Sequence, residues 1–134
     1  MAFNDFFRVG VHGVFINDEK KILQLKSTYG SKGWGLPGGG VDPGETIHEA
    51  LIRECFEELG VAVNVIYMSG LYYHEIYNAQ VCVFKCEIPA GAKIQLSEEH
   101  SEYRYFDLEE LSNIQRTRVL DCLNFDGKVK SAKF

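Results

Sequence analysis

Cysteine is scarce in this chain, and the few cysteines do not have the spacing of a metal site. The four are Cys55, Cys82, Cys86 and Cys122. None forms a C-x-x-C pair, and no histidine lies at zinc-ligand spacing from them. Because 46% of the 134 residues are hydrophobic, the chain can build a core without disulfides. We expect reduced and mostly buried thiols.

Long apolar runs are also missing. No segment approaches the roughly 18 apolar residues that a membrane-spanning helix needs. The first eight residues have no basic stretch followed by an apolar one, which a secretory signal would require. There is no internal repeat and no low-complexity segment. We therefore predict a cytoplasmic protein without membrane contact, folded as a single domain over residues 1–134.

Positive charge is sparse and scattered. The chain has 14 Lys and Arg against 19 Asp and Glu, which gives a net charge of −5. No cluster of basic residues stands out, so we do not expect binding to nucleic acid. An acidic protein can still bind phosphates when a divalent cation mediates the contact.

The apolar patterns that are present predict strands mixed with two helices, which is typical of an α/β domain with a mixed sheet. The first two strands are separated by turn residues and predict a hairpin. A second pair of strands follows the first helix. The predicted strands cover residues 8–16, 21–26, 61–77, 80–88 and 103–106, and the second helix covers residues 108–123.

Between the first strands and the first helix lies a glycine-dense stretch. Residues 30–44 hold seven glycines, two prolines and the only tryptophan, so we predict a loop there. Residues 46–59 then predict a helix, and Gly60 predicts its C-terminal end. Apolar residues at helical period form one stripe on this helix. The stripe consists of Ile52, Cys55, Phe56 and Leu59.

Three carboxylates lie on the flank of this helix opposite Ile52 and Phe56. Glu57 and Glu58 are displaced by roughly 60° and 40° to either side of Glu54 around the helix. Like charges at this spacing destabilise a helix, and its C-terminal half favours cations instead. A solvated acidic face is one interpretation. The other is a site for a hard cation such as Mg²⁺, which prefers oxygen ligands.

The wider spacing favours the cation site. The string Gly39-x5-Glu45-x7-Arg53-Glu54-Cys55-x-Glu57-Glu58-x-Gly60-Val61 resembles the Nudix box. Every position of fixed identity matches, and Cys55 replaces an aliphatic residue. The segment from Trp34 to Gly40 is similar to the one that leads into the box in many members of the family.

This resemblance implies the Nudix fold, an α/β fold with a mixed β-sheet sandwiched between α-helices. It also implies a hydrolase that cleaves a phosphoanhydride bond in a nucleoside diphosphate derivative, a small molecule. Two alternatives remain open: a non-catalytic nucleotide-sensing module on the same fold, and an RNA 5′-end pyrophosphohydrolase. A homodimer is left open as well.

The resemblance also implies the roles of individual residues around a Mg²⁺ or Mn²⁺ ion. Glu54, Glu57 and Glu58 would be ligands, together with a backbone carbonyl of Gly38 or Gly39. Glu45 would complete or support the site. Arg53 belongs to the catalytic set, and we expect it to pair with Glu45 and orient the loop.

The general base and the substrate contacts are less determined. The base is Glu54 or a glutamate of a later loop, either Glu98 or Glu99, whereas we expect a structural role for the neighbouring His100. Lys26 and Tyr77 are candidate substrate contacts. ADP-ribose hydrolases of this family tend to have a proline where this chain has Ile76, and diadenosine polyphosphate hydrolases a tyrosine near Tyr77, so the substrate stays open.

Overall fold

The computed structural model describes residues 3–30 and 32–134. This part of the chain contains eight strands and two α-helices, with two short 3₁₀ turns at Glu75–Tyr77 and Leu108–Glu110. The strands are β1 (Arg8–Val14), β2 (Ile22–Ser27), β3 (Trp34–Gly35), β4 (Gly38–Gly40), β5 (Asn64–His74), β6 (Ala79–Glu87), β7 (His100–Phe106) and β8 (Lys130–Lys133). The helices are α1 (Ile47–Leu59) and α2 (Asn113–Leu123).

The strands form two sheets. The larger has five strands in the order β4-β1-β6-β5-β8, and the smaller has three in the order β3-β2-β7. In the larger sheet β1 runs parallel to β6 and β5 parallel to β8, whereas β1–β4 and β5–β6 are antiparallel. The predicted mixed sheet is therefore confirmed, although three strands leave it for a second sheet.

Each face of the larger sheet supports its own core. On one face, Val11 of β1 and Phe84 of β6 pack with Leu51 of α1. On the other face, Val14 and Val83 pack with residues of α2 such as Val119. Successive residues of β6 alternate between the two cores, as strand geometry requires. The sheet thus lies between two helices, as the resemblance implied.

The predicted first hairpin forms only next to its turn. β1 and β2 meet only next to the turn, at a bridge between Ile16 and Ile22, and then diverge into different sheets. The turn itself is present, because the side chain of Asn17 accepts a hydrogen bond from the Lys21 backbone N–H at 2.9 Å. Apolar periodicity predicts where strands lie but carries no information about which distant strand each one pairs with.

The second hairpin is confirmed, whereas the later elements differ at their ends and β8 was not predicted. β5 and β6 are antiparallel neighbours, joined by a 3₁₀ turn and by Asn78 in a left-handed conformation with φ of 46°. The predicted strand at 103–106 begins earlier, at His100. The predicted helix at 108–123 starts as a 3₁₀ turn and becomes α-helical only at Asn113. All four cysteines are buried and free, as expected.

Helix α1 has well-defined ends. Thr46 and Glu49 form a reciprocal capping box at its start, with bonds of 3.1 and 2.9 Å between each side chain and the other's backbone N–H. At its end, Gly60 has φ of 67° and donates to the carbonyl of Phe56. The predicted helix and its glycine stop are confirmed.

The apolar stripe predicted on α1 is half wrong. Cys55 and Leu59 are fully buried, but Ile52 and Phe56 are 43% and 58% exposed. The helix is rotated relative to the prediction. Leu51 and the carboxylate Glu58 are buried in place of Ile52 and Phe56. Periodicity alone could not place this face, because it assumes that an ionisable side chain stays outside the core.

Two short strands, β3 and β4, lie within the glycine-dense stretch that was predicted as a loop. Gly38 has φ of 144°, and a Cβ there would collide with the Val11 carbonyl and lie 2.8 Å from the His12 Cα. Only glycine can therefore bring this strand against β1. Among the described residues, no helix is long and apolar enough to cross a membrane.

Candidate active site

The three carboxylates of α1 lie in three different environments. Glu58 is only 6% exposed, and one of its oxygens accepts a 2.7 Å hydrogen bond from the Gly38 backbone N–H. Its other oxygen lies 3.4 Å from Nε2 of His100. Glu54 is half-buried, and Glu57 is exposed. The helix therefore presents a graded series from a buried carboxylate to a solvated one.

Strand β4 lies directly against Glu54. A Cβ added to Gly39 would be 2.5 Å from the Glu54 carboxyl carbon, whereas a Cβ on Gly40 would meet nothing within 4 Å. The backbone of Gly39 thus occupies the space beside this carboxylate. The resemblance implied a backbone carbonyl of Gly38 or Gly39 as a metal ligand. Because β4 approaches α1 closely, Gly38 lies beside Glu58 and Gly39 beside Glu54.

Arg53 links the helix to the preceding loop. Its Nε donates to Glu45 Oε2 at 2.6 Å and its Nη2 to Glu45 Oε1 at 2.9 Å, which is a side-on bidentate pair. Its Nη1 donates to Glu54 at 3.0 Å and to Glu57 at 3.3 Å. The expected pairing of Arg53 with Glu45 is present. The Arg53 guanidinium lowers the pKa of Glu45 to about 2.

Negative charge still exceeds positive charge around Glu58. Burial raises the pKa of the Glu58 carboxyl to about 8, and repulsion by Glu54 and Glu99 adds to the effect, although the Gly38 N–H opposes it. Burial also raises the pKa of Glu54, against the opposing influence of Arg53. Additional positive charge beside Glu58 would stabilise the anionic form of its carboxyl group.

The loop before β7 brings one further carboxylate to the site. Glu98 and Glu99 line a groove of about 360 Å³ together with Glu57. The negative charge of Glu99 contributes to the raised pKa of both Glu54 and Glu58. Backbone carbonyls of both loop residues accept hydrogen bonds from Thr28 and hold the loop against β2. Glu99 directly precedes His100, whose Nε2 lies 3.4 Å from Glu58.

A cleft of about 350 Å³ opens between the two sheets next to Glu58. Glu58 and His100 form part of its wall, and Tyr29 and Trp34 supply aromatic surface. Sequence reasoning did not single out Tyr29 or the contact between His100 and Glu58. The position of Tyr29 directly before the glycine-dense stretch could have indicated that it lies at the cleft. The contact between His100 and Glu58 joins segments far apart in the sequence, so no local pattern indicates it.

The structure does not bring the two predicted substrate contacts into this cleft. Lys26 pairs with Glu102 at 3.6 Å, while its strand neighbours Leu25 and Ser27 line the cleft. Alternation along β2 thus directs Lys26 to the other face. Tyr77 is exposed and lines a separate cavity on the α2 side of the larger sheet.

The residues present are suited to a hard divalent cation. Glu58 is buried and short of positive charge, two more carboxylates follow on the same helix, and a glycine strand lies against them. Within residues 3–30 and 32–134, however, no three His, Cys, Asp or Glu side chains are grouped as a ready metal cage. Nη1 of Arg53 bridges Glu54 and Glu57 in this arrangement.

Comparison with known proteins identifies the family. The NUDIX domain model matches residues 6–121. The chain belongs to the Nudix family. Hydrolysis of pyrophosphate bonds, the activity that the sequence pattern implied, is the activity of this family, and the complete set of box residues is retained.

Relatives of this Nudix chain differ in the part of it that they match. A MutT-like protein of Streptomyces ambofaciens is 28% identical over 123 residues, covering 89% of this chain and 79% of that protein. An RNA pyrophosphohydrolase of Actinobacillus succinogenes is 39% identical over 71 residues, which is 51% of this chain but only 36% of that protein.

Among solved structures, an ADP-ribose pyrophosphatase of Streptococcus suis superimposes with a TM-score of 0.77. The match covers 96% of this chain and all of that chain, at 17% identity. At that identity the likeness shows the fold alone, which confirms the predicted Nudix architecture.

Proposed function

We propose that this Nudix protein hydrolyses a phosphoanhydride bond in a small nucleoside diphosphate derivative, with Mg²⁺ or Mn²⁺ as the required cation. The observation that carries the proposal is the buried carboxylate of Glu58 at the edge of the cleft, with Glu54 and Glu57 on the same helix. These three residues would hold the cation, together with a carbonyl of Gly38 or Gly39.

The charge balance supports a cation. The diphosphate bridge is itself polyanionic, and unit charges a few ångströms apart repel by roughly 4 kcal/mol even at an effective dielectric near 20. Arg53 offsets only part of this negative charge, since two of its donors engage Glu45 while Nη1 alone contacts Glu54 and Glu57. When bound, the cation would polarise phosphoryl oxygens and lower the pKa of a water ligand.

Residues of this chain would position the metal ligands and activate the attacking water. The Gly38 N–H orients Glu58. The Arg53–Glu45 pair would fix the segment that connects β4 to α1. We assign the general base to Glu99, because it lines the groove beside Glu57 and directly precedes His100, which lies 3.4 Å from Glu58. Glu98 and Glu54 are the alternatives that mutation must separate.

The substrate class follows from charge and from the retained motif. With a net charge of −5, a small nucleotide is favoured over an RNA chain, whose binding relies on many basic contacts. A non-catalytic sensing module is disfavoured because no box carboxylate is missing. A cytoplasmic location accords with the four free thiols.

The test is a panel of nucleoside triphosphates, dinucleoside polyphosphates, nucleotide sugars, ADP-ribose and 5′-triphosphorylated RNA. Release of phosphate or pyrophosphate is measured in chelator, Mg²⁺, Mn²⁺ and Ca²⁺. We expect hydrolysis of at least one small nucleotide in Mg²⁺ or Mn²⁺, weak turnover in Ca²⁺ and none in chelator. Turnover that persists in excess chelator would contradict the cation site, and preference for RNA would contradict the substrate class.

A further inference from the structure

The imidazole of His100 lies against the buried carboxylate of Glu58. His100 is the first residue of β7, its side chain is 9% exposed, and its Nε2 lies 3.4 Å from Oε2 of Glu58. The other oxygen, Oε1, accepts the 2.7 Å hydrogen bond from the Gly38 N–H. The two oxygens of Glu58 therefore face two segments that are far apart in the sequence, β4 on one side and the start of β7 on the other.

The Gly38 N–H holds only one oxygen of this carboxylate. The terminal torsion of a glutamate side chain is broad, so a bond to one oxygen leaves the other oxygen able to swing. Glu45 shows the fully held arrangement, because Arg53 donates to both of its oxygens at 2.6 and 2.9 Å. At Glu58, His100 is the side chain placed to hold the second oxygen.

The surroundings of the His100 ring determine which of its nitrogens carries the proton. A neutral imidazole has one N–H donor and one acceptor nitrogen. Nδ1 of His100 is buried and has no hydrogen-bond partner among the described residues, so a proton there would be an unsatisfied buried donor. A proton on Nε2 instead lies beside a carboxylate oxygen of Glu58. The ring is therefore arranged to donate from Nε2.

The loop that carries His100 is fastened at both ends. At one end the Gln95 N–H donates to the carbonyl of Leu59, the last residue of α1, at 2.7 Å. At the other end the Thr28 N–H donates to the carbonyl of Glu99 at 2.9 Å. Backbone bonds on two sides thus bring the ring to α1, and its place there does not depend on its contact with the carboxylate.

His100 contacts a proposed ligand residue and not the reacting groups. Its Nε2 is directed at Glu58 and its Nδ1 is buried, so the ring acts through the carboxylate. A carboxylate has about four lone-pair positions, and the contacts from Gly38 and His100 leave others for a cation. The separation of 3.4 Å is long for a charge-assisted hydrogen bond, and we expect it to shorten when Glu58 is an anion beside a cation.

We propose that His100 is a positioning residue of the active site, whose Nε2–H holds Oε2 of Glu58 opposite the Gly38 N–H. The buried carboxylate is then already turned in the direction in which it binds a cation, so less side-chain freedom is lost on binding. This inference deepens the proposed function and rests on it for the identity of the cation.

The experiment compares two amides that differ in reach. In His100→Gln the side-chain amide nitrogen can take the position of Nε2, whereas in His100→Asn it reaches only as far as Nδ1. The two variants remove the same ring, so they differ in whether a donor meets Glu58. His48→Asn, which removes an exposed imidazole from α1, is the control for loss of a histidine.

Two measurements are made without nucleotide. The first is Mn²⁺ affinity, from the electron paramagnetic resonance signal of the free ion. We expect His100→Asn to weaken Mn²⁺ binding by about 10-fold or more, as for other residues that orient metal ligands, and His100→Gln and His48→Asn to stay within about threefold of wild type. The second is hydrogen exchange of the Gly38 amide in chelator, which should be about tenfold faster in His100→Asn and unchanged in His100→Gln.

A merely structural histidine would give another pattern. Both substitutions at position 100 would then lower the melting temperature in chelator, and the two variants would bind Mn²⁺ equally well. If neither variant folds, wild type decides the question through the nitrogen NMR signals of the His100 ring in Mg²⁺. We expect the proton on Nε2, and a proton on Nδ1 would overturn the proposal.

Two further results would overturn it. One is a Mn²⁺ affinity of His100→Asn equal to that of wild type, and the other is the same loss of affinity in His100→Gln as in His100→Asn. A wild-type protein that binds no Mn²⁺ would instead overturn the cation site of the proposed function. The exchange of the Gly38 amide, measured without metal, would still show whether His100 holds Glu58.

Discussion

The two faces of the larger sheet each bury one charged side chain, and the charges have opposite signs. On the α1 face Glu58 is held by the Gly38 N–H and faces His100. On the α2 face Arg118 has aromatic rings beside it and two donors without a partner in the described chain. The α1 charges come from one contiguous motif, whereas the Arg118 environment is assembled from distant segments. A motif search therefore finds the first face and overlooks the second.

Substitution of the α1 carboxylates should give the largest loss of turnover and so distinguish this face of the sheet from the α2 face. We expect Glu57→Gln and Glu58→Gln each to weaken Mg²⁺ binding and lower turnover by about 10³-fold, because each removes a proposed ligand charge. The fold should persist, since one of several like charges is lost. Steady-state kinetics with Mg²⁺ titration and thermal melting provide the measurement. Glu87→Gln, at an exposed carboxylate of β6 outside the box, is the control. Wild-type turnover in both box variants would remove these residues from the site.

The next effect distinguishes the two loop glutamates. Glu99→Gln should lower turnover by about 100-fold while Mg²⁺ affinity is kept, as expected for loss of a general base. Glu98→Gln is the matched control, because it removes the same charge from the adjacent position, and it should stay within about threefold of wild type. Single-turnover rates and metal titrations decide between them. If both variants react at the wild-type rate, the role passes to Glu54.

A backbone test compares neighbouring glycines of β4. Gly39→Ala should lower turnover by about tenfold, since its Cβ would be 2.5 Å from the Glu54 carboxyl carbon and would displace it. Gly40→Ala should be nearly neutral, because nothing lies within 4 Å of its Cβ. Both variants are compared by kcat and by melting temperature. Equal activities would show that the approach of β4 to Glu54 is not needed for catalysis.

The last comparison concerns stability and not turnover, and it is a pH dependence of unfolding on the α1 face. Burial raises the pKa of Glu58 from 4.5 to about 8. Because the folded state holds this proton more tightly than the unfolded state, the contribution is complete below pH 4.5 and is lost as pH rises towards 8. In chelator, wild type should lose on the order of 5 kcal/mol of stability relative to Glu58→Gln across this range, at about 1.36 kcal/mol per pKa unit. Urea unfolding at several pH values measures it, and a constant difference between the two proteins would contradict the buried carboxylate.

The bounds of helix α1 could be predicted from the sequence because the residues that define its ends act locally. Thr46, Glu49 and Gly60 satisfy backbone groups within one turn of their own positions, so the helix ends could be read from neighbouring residues. The spacing of the carboxylates followed from the helical period. The rotation of the helix did not, since the burial of Glu58 and the exposure of Phe56 depend on what the sheet presents to them.

Strand pairing shows the same division. The turn at Asn17 was predictable, because its side chain bonds to nearby backbone N–H groups. The separation of β1 and β2 into different sheets was not, since β1 pairs with β6 some 70 positions later in the chain, as in the register of Arg8 with Ala79. Pairing over such a distance leaves no local pattern in either strand.

By itself, the sequence determined the family motif, the helix that carries Glu54, Glu57 and Glu58, and the link from Arg53 to Glu45, because residues within one or two helical turns constrain each other directly. Only the tertiary structure decided that Glu99 and His100 lie beside that helix and that Lys26 points away. It also decided that Arg118 is buried next to a cavity. Packing fixes these side chains through contacts between segments far apart in the chain, and their energies depend on burial, which no local pattern specifies.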